Sequence, residues 1–464
     1  MHYPASELVI DPVLIRKYDA GGPRYTSYPT ADRFIEAFGA PSLADWLPRR
    51  NIGGISQPLS VYVHLPFCAT LCYYCACNKI VTRDRAASAK YIGYLEKELD
   101  ALWRVLGAPQ SIAQLHWGGG TPTFLADAEM TRLMQLLEER FPRKPEAEVS
   151  IEVDPRSVEQ GRMATLAGLG FNRLSIGVQD FDPEVQKAVH RIQSEAETRR
   201  VIDEARANGF RSINVDLIYG LPRQTLDRFS VTLERTIAIE PDRIALYSYA
   251  HLPTLFKPQR RILPAELPSP ETKLQLLTLA IGRLTRAGYV YIGMDHFAKP
   301  GDELAIAQRQ GRLHRNFQGY STLPEADLIG IGVSAIGRIG PTYYQNMKDL
   351  DDYYAMLDEG TLPVQRGLEL TADDLARRAV IQALMCHFRV SIESIELSHL
   401  LNFRDYFATE LADLARFEED GLVETSAEWI TVTPRGRLLV RAICMVFDRY
   451  LRERERRASY SRVI

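Results

Sequence analysis

Six aliphatic, β-branched runs recur between residues 59 and 250, with helix-length stretches between them. They read as strands near 59–67, 114–118, 148–153, 173–178, 213–219 and 244–250, and a further strand is expected near 289–294. Intervals such as 195–208 and 226–239 suit crossover helices. Repeated strand–helix units imply a parallel sheet or barrel. About six units are too few to close an eight-fold barrel. The expected fold class is therefore α/β, a partial, open, about six-stranded parallel β/α barrel.

Alternation along the strands locates the interior. Successive strand side chains face opposite ways. Val61, Val63 and Leu65 share one face, Tyr62 and His64 the other. Val149, Ile151 and Val153 oppose Ser150, Glu152 and Asp154; Leu174, Ile176 and Val178 oppose Ser175, Gly177 and Gln179. Val215 and Leu217 oppose Asn214 and Asp216. The apolar face suits packing under helices. A filled barrel interior prefers branched apolar residues, so a polar inner face implies a bound ligand or water.

The first strand runs into CATLCYYCAC, which places Cys68, Cys72, Cys75 and Cys77 within ten residues. Thiolates are soft ligands suited to iron–sulfur clusters or zinc. Three at this spacing can reach three corners of one [4Fe–4S] cluster, leaving one iron open to a small molecule. Cys68, Cys72 and Cys75 are the expected ligands, with Cys77 nearby but unligated. A zinc knuckle stays open as an alternative, with Cys77 or His64 as fourth ligand. A disulfide framework suits small secreted chains instead. Cys386 and Cys444 lie in apolar helical patterns and read as core fillers.

Size and charge narrow the remaining classes. At 464 residues, the chain is long enough for two or three domains. A net charge of −3 argues against a general nucleic-acid binder. No apolar run approaches the ~18 residues of a membrane span, and the start lacks a signal-peptide layout. With clustered thiols, this points to a reducing cytoplasm.

Two further groups carry candidate chemistry. Gly118, Gly119, Gly120, Thr121 and Pro122 follow the second strand, where glycines let backbone approach a ligand closely; tight βα turns use the same residues. Glu152 and Asp216, at strand ends on the inner face, suit ribose hydroxyls or salt bridges to a neighbouring arginine. Gln179 and Arg191 can orient a carboxylate, for which arginine offers two parallel donors.

The spacing C-x3-C-x2-C resembles the signature of radical S-adenosylmethionine (SAM) enzymes. VYVHLPFC, the extra Cys77 and CNKIVTR together resemble the oxygen-independent coproporphyrinogen III oxidase family. The resemblance extends through GPRYTSYPT, HWGGGTP, SIEVDP, FNRLSIGVQDF, NVDLIYGLP and YAHLP. It continues through GMDHF, HRNFQGY, GVSAI, RGRLL and SRVI, so it covers nearly the whole chain. It implies a barrel of radical SAM type, one [4Fe–4S] cluster and two SAM molecules. By the matching positions, the first SAM would contact Tyr62, Gly119 and Glu152. The second would contact Tyr74, Gly120, Thr121, Gln179, Arg191, Asp216, Ala250 and Ile336. Tyr74 stands where relatives often have Phe, and Ala76 where they have Gly. The implied chemistry converts the propionates of rings A and B of coproporphyrinogen III to vinyl groups. A 5′-deoxyadenosyl radical takes hydrogen from the propionate β-carbon, and loss of CO2 and one electron completes each vinyl. No acid–base residue is required. A flavodoxin- or ferredoxin-like electron donor and an electron acceptor are implied, with no nucleic acid or membrane partner, and nothing demands more than a monomer. The alternative is a haem chaperone of the same superfamily; Cys77 and the chain's length favour the enzyme.

The expected domains are an N-terminal arm (1–50), the barrel (51–300), a connecting or lid segment (301–366) and a mostly α-helical C-terminal domain (367–464). In the arm, 23–30 resembles a segment that closes over the family's active site. After residue 297 the sequence is polar and loop-like. From 368 onward it reads as helix–helix–hairpin–helix, similar to a winged-helix module and suited to a docking cap, with a charged tail.

Overall fold

The computed structural model describes residues 8–54, 59–107, 110–323 and 326–452. The SRVI motif and the charged tail lie outside them. The chain forms two compact units: Phe34–Ser269 with Glu325–Glu369, and Met1–Arg33 with Pro270–Pro324 and Leu370–Ile464.

The first unit is the expected open barrel. Its strands are β1 (Leu59–Leu65), β2 (Ile112–Gly119), β3 (Arg143–Val153), β4 (Arg173–Gln179), β5 (Ser212–Tyr219) and β6 (Arg243–Ser248). They are joined by β7 (Asp327–Ile331), β8 (Ile336–Ile339), β9 (Thr342–Asn346) and β10 (Val364–Glu369). Within this unit the order is β10-β9-β8-β7-β1-β2-β3-β4-β5-β6. Strands β7 and β1 to β6 run parallel, and β8 to β10 continue antiparallel. The two crossover helices fall where the sequence places them, at Glu195–Ala207 and Leu226–Ala238. Ser194 and Glu197 cap the first reciprocally, and the Thr225 hydroxyl caps the second.

Burial follows the alternation. Val61, Val63, Ile151, Ile176, Val215 and Leu217 are completely buried. Tyr62, Ser150, Glu152, Ser175, Gln179, Asn214 and Asp216, on the opposite face, keep part of their surface open. Register aligns this polar face across strands: Tyr62 pairs with His116, Glu152 with Ser175, and Ser175 with Asn214.

The stretch after residue 297 is more regular than its polarity suggests. It holds a helix at Glu303–Arg309, whose Leu304, Ala305 and Ala307 are buried, and a hairpin of His314–Asn316 with Gly319–Ser321. Strands β7 to β10 escaped the sequence reading because β7 and β9 are buried along their whole length and show no alternation. Glycine also interrupts the pattern: a Cβ at Gly337 would enter the ring of Tyr344.

A buried carboxyl fastens the turn between β7 and β8. Glu98, in the helix Ala86–Leu106, accepts from Gly332 N–H (2.8 Å), Asn346 Nδ2 (2.6 Å) and the Tyr353 hydroxyl (2.6 Å). Burial pushes its carboxyl up to about 7, while these donors pull it back. Beside it, the Tyr91 hydroxyl donates to the His64 carbonyl (2.8 Å) and accepts from Val333 N–H (2.9 Å). The 332–335 turn is thus tied to the end of β1. Glu98→Ala leaves three buried donors unmade, and urea unfolding should show a loss of about 3 kcal/mol or more. Glu96→Ala, which removes an exposed partner of Arg132, should cost under about 1 kcal/mol.

In the second unit, the strand expected near 289–294 is present as Val290–Gly293 and pairs antiparallel with His296–Ala298. The segment 23–30 packs within this unit. Tyr25 donates to Asp448 (3.0 Å), and Arg441 donates to the Pro23 carbonyl (2.9 Å). The C-terminal region runs helix (Ala372–His387), short strand (Arg389–Ser391), helices (Ile392–His399, Phe403–Tyr406, Ala408–Glu419) and hairpin (Val423–Thr425, Trp429–Val432). The short strand pairs with the second hairpin strand, completing a three-stranded sheet. Cys386 and Cys444 are buried here, as expected of core fillers. Among the described residues, no helix is long and apolar enough to cross a membrane.

Candidate active site

The cysteine loop leaves the carboxyl end of β1. Its thiols are all free, and each meets a different neighbour. Cys68 Sγ lies 3.5 Å from the Thr121 hydroxyl. Cys72 Sγ accepts from both Arg156 and Arg191, each at 3.6 Å. Cys75 is drawn down to about 6, first by a hydrogen bond from Cys77 and then by the charge of Lys79. Burial pushes Cys68 up to about 11. Lys79 Nζ donates to the carbonyls of Cys75 and Cys77, both at 3.3 Å. Cys77 is the exposed member of the set.

This donor set fits an iron–sulfur cluster. Three thiols carried on one loop at this spacing are the ligand type such a cluster takes. The Lys79 ammonium near Cys75 favours the thiolate form that such a cluster requires.

The glycine loop docks against the cysteine loop by backbone. Gly120 N–H donates to the Leu65 carbonyl and Thr121 N–H to the Phe67 carbonyl, both at 2.8 Å. Beside it, Glu152 accepts from Gly119 N–H (3.1 Å) and faces His116 Nε2 (3.4 Å). His116 stacks on Tyr62 with ring centroids 5.7 Å apart, and its Nδ1 meets the Ser150 hydroxyl at 2.5 Å. The Tyr62 hydroxyl lies 3.0 Å from His64 Nδ1. Burial alone would raise the Glu152 carboxyl. Hydrogen bonding and charge from His116, the Gly119 N–H and His64 outweigh that and hold it below the usual carboxylate value. Deep in the barrel, 44% of its side chain nevertheless stays open.

Across the barrel, β4 and β5 supply a second polar group. Arg191 Nη1 pairs with Asp154 (3.1 Å), and Nη2 donates to the Gly177 carbonyl (2.5 Å). Asp154 also holds Arg156 at 2.6 Å. Asp216 accepts from Asn214 (2.8 Å) and Ser175 (3.3 Å). Gln179 sits at the end of β4 with φ of 68°. Among the described residues, Arg191 Nε and Asn214 Oδ1 are buried without a hydrogen-bond partner. A buried polar atom left unmatched costs about 1–3 kcal/mol, so this corner is suited to a polar ligand such as SAM. Tyr74 packs against the buried cluster that holds Val185, Val189, Ile218, Leu221, Tyr249 and Ile262, and its carbonyl accepts from Gln259 (3.1 Å). Ala250 follows β6 and Ile336 opens β8; both are half-buried and offer only apolar side-chain contact.

Burial, followed by the nearby Glu152 charge, pushes the Asp216 carboxyl up to about 7. The fold therefore favours its protonated form. Between the ordinary carboxylate value and pH 7, the unfolded chain loses this proton first, so this contribution to stability falls as pH rises. Asp216→Asn removes that slope. Melting curves of the unloaded protein should show the variant gaining on the parent from pH 4 to 7, by about 2 kcal/mol at the top of the range.

The carboxyl ends of β1 to β5 thus gather the three expected thiols, the glycine loop, Tyr62, Glu152, Gln179, Arg191 and Asp216. Sequence reasoning passed over His116, Asn214 and the Asp154–Arg156 pair as site residues. His116, Asn214 and Asp154 were legible from the inner-face alternation; Arg156 had no such signal.

Comparison with known proteins agrees with this geometry. The Radical SAM superfamily model matches residues 62–236, and the HemN C-terminal domain model matches 370–439. The oxygen-independent coproporphyrinogen III oxidase of Pseudomonas aeruginosa is 52% identical, over 98% of each chain. The Escherichia coli oxidase is 51% identical, also over 98% of each. The solved structure of E. coli coproporphyrinogen III oxidase, a radical SAM enzyme, superposes with a TM-score of 0.91 at 50% identity. It covers 96% of this chain and 100% of its own. Full-length identity at this level, with a fold that superposes over nearly the whole chain, shows that this chain belongs to the oxygen-independent coproporphyrinogen III oxidase family of radical SAM enzymes.

Proposed function

We propose that the chain converts the propionates on rings A and B of coproporphyrinogen III to vinyl groups, yielding protoporphyrinogen IX for haem synthesis. The observation that carries this reading is the convergence of three loop thiols, a backbone-docked glycine loop and a polar inner face at one end of the barrel. When bound, the cluster and SAM supply a carbon-centred radical able to take hydrogen from an unactivated C–H bond. The protein's own residues orient and enclose. Cys68, Cys72 and Cys75 are the ligands, and Cys77 lies nearby without binding iron. Tyr62, Gly119 and Glu152 hold one SAM. Tyr74, Gly120, Thr121, Gln179, Arg191, Asp216, Ala250 and Ile336 hold a second, which the unmatched Arg191 Nε and Asn214 Oδ1 favour. His116 and Asp154 act through neighbours, fixing Glu152 and Arg191. The barrel excludes water, so that geometry selects which C–H bond reacts.

The chain works as a monomer in the cytoplasm; a flavodoxin- or ferredoxin-like protein supplies the electron that each SAM cleavage consumes, and a separate acceptor takes the electron the substrate loses together with CO2. Haem chaperoning is not favoured, since the full-length relatives are oxidases. Anaerobic reaction of reconstituted protein with SAM, a reductant and coproporphyrinogen III tests the reading. Vinyl product and 5′-deoxyadenosine should appear together and vanish in Cys68→Ala. SAM cleavage without vinyl product would reject the substrate.

A further inference from the structure

Each SAM cleavage consumes one electron from outside the chain, and the outer face of the cysteine loop has the composition of a docking surface. Tyr73 lies between two proposed ligands. Its ring stacks on His190, with centroids 5.0 Å apart at 10°, and the Arg261 guanidinium lies over it at 5.2 Å. Backbone contacts fasten the pieces: Tyr73 N–H donates to the Val189 carbonyl (2.9 Å), and His190 Nδ1 meets the Leu71 carbonyl (2.8 Å).

Charge on this face runs against that of the chain. Residues 251–265 carry Lys257, Arg260 and Arg261 and no carboxylate, in a protein of net charge −3. All three cations are exposed, and among the described residues none forms an ion pair. Glu266, the next carboxylate along, is held by Arg223 at 2.6 Å. Flanking these cations in sequence, Leu255 and Leu263 are exposed at 64% and 59%, and Ile192, next to Arg191, at 67%. Arginine and tyrosine are enriched at protein interfaces, and exposed apolar side chains rimmed by polar ones mark interaction sites. Unpaired cations steer an acidic partner and orient it.

We propose that this face docks an acidic one-electron carrier protein of flavodoxin type, with Lys257, Arg260 and Arg261 steering it to the cysteine loop. The proposal rests on Cys68, Cys72 and Cys75 being cluster ligands. The carrier loses one electron and the cluster gains it; no bond forms or breaks. The competing use of the same cations is to hold the substrate's carboxylates.

The test is the triple variant Lys257→Glu/Arg260→Glu/Arg261→Glu, with Arg260→Glu alone as a milder change that leaves the Tyr73 stack intact. Calorimetric titration with an acidic bacterial flavodoxin should show affinity falling at least about ten-fold in the triple variant at low salt. The difference should close at high salt as the charges are screened. SAM cleavage driven by reduced flavodoxin should fall in step, while cleavage and vinyl formation driven by dithionite stay at the parent rate. Arg260→Glu should show the same pattern to a smaller degree. Unchanged flavodoxin affinity overturns the proposal, and so does an equal loss with dithionite, which would assign the cations to substrate. Failure of the underlying reading looks different: the parent protein would bind no iron and would not cleave SAM with dithionite, and the proposal would fall with it.

Discussion

Replacing Cys68, Cys72 or Cys75 by alanine should each leave the reconstituted protein without its iron and sulfide and lower vinyl formation by more than about 10³-fold, because the cofactor carries the reaction. Cys77→Ala should behave differently. Cys77 is the exposed member of the set, so the variant should retain about four irons per chain, as a cluster with three protein ligands requires. Iron and labile-sulfide analysis with the charge-transfer absorption of each variant separates the cases. Loss of the cluster in Cys77→Ala, with retention in one of the other three, would reassign the ligand set. Retention of iron as zinc-like single-ion binding would revive the knuckle.

Gly120→Ala should be nearly as damaging, for a steric reason. A Cβ there would lie 2.5 Å from the Pro66 carbonyl oxygen and 2.7 Å from that of Phe67. Both are backbone atoms of the segment entering the cysteine loop, and Gly120 and Thr121 N–H groups bond to that same segment. Neither side can yield by rotating a side chain, so the two loops must separate. Overpacking of this kind costs about 1–3 kcal/mol. The larger effect should be on SAM, whose proposed contacts include Gly119, Gly120 and Thr121; affinity should fall by about 10²-fold if the loop shifts by the width of a methyl. Gly93→Ala is the control. No atom lies within 4 Å of its added Cβ, and a helix interior gains about 0.5–1 kcal/mol from the exchange. Equilibrium dialysis of SAM together with thermal melting should show the first variant losing both affinity and stability and the second losing neither.

The barrel was legible where its strands have one face against helices and one toward the interior. Val61 against Tyr62, or Ile151 against Glu152, marks both the strand and the side that carries chemistry. The same signal fails for β7 and β9, whose residues are buried on both faces. A buried strand broken by glycine does not alternate and resembles a loop-rich connector. Local spacing revealed the thiols because a cluster's ligands can come from one loop. The Asp154–Arg156–Arg191 group has no comparable mark. Arg191 lies 37 residues from the carboxylate it pairs with, and only the packing of the loop after β4 brings it to Cys72. Glu98 is hidden for a related reason: among the acids of its helix, nothing in the sequence shows that it alone is fully buried and accepts three hydrogen bonds.

The most direct test follows the hydrogen. Coproporphyrinogen III deuterated at the propionate β-carbons should be supplied anaerobically with SAM and a reductant, and the 5′-deoxyadenosine formed should be analysed by mass spectrometry. Radical abstraction at that carbon predicts one deuterium carried into the 5′-deoxyadenosine for each vinyl group produced. Vinyl product accompanied by unlabelled 5′-deoxyadenosine would contradict the account.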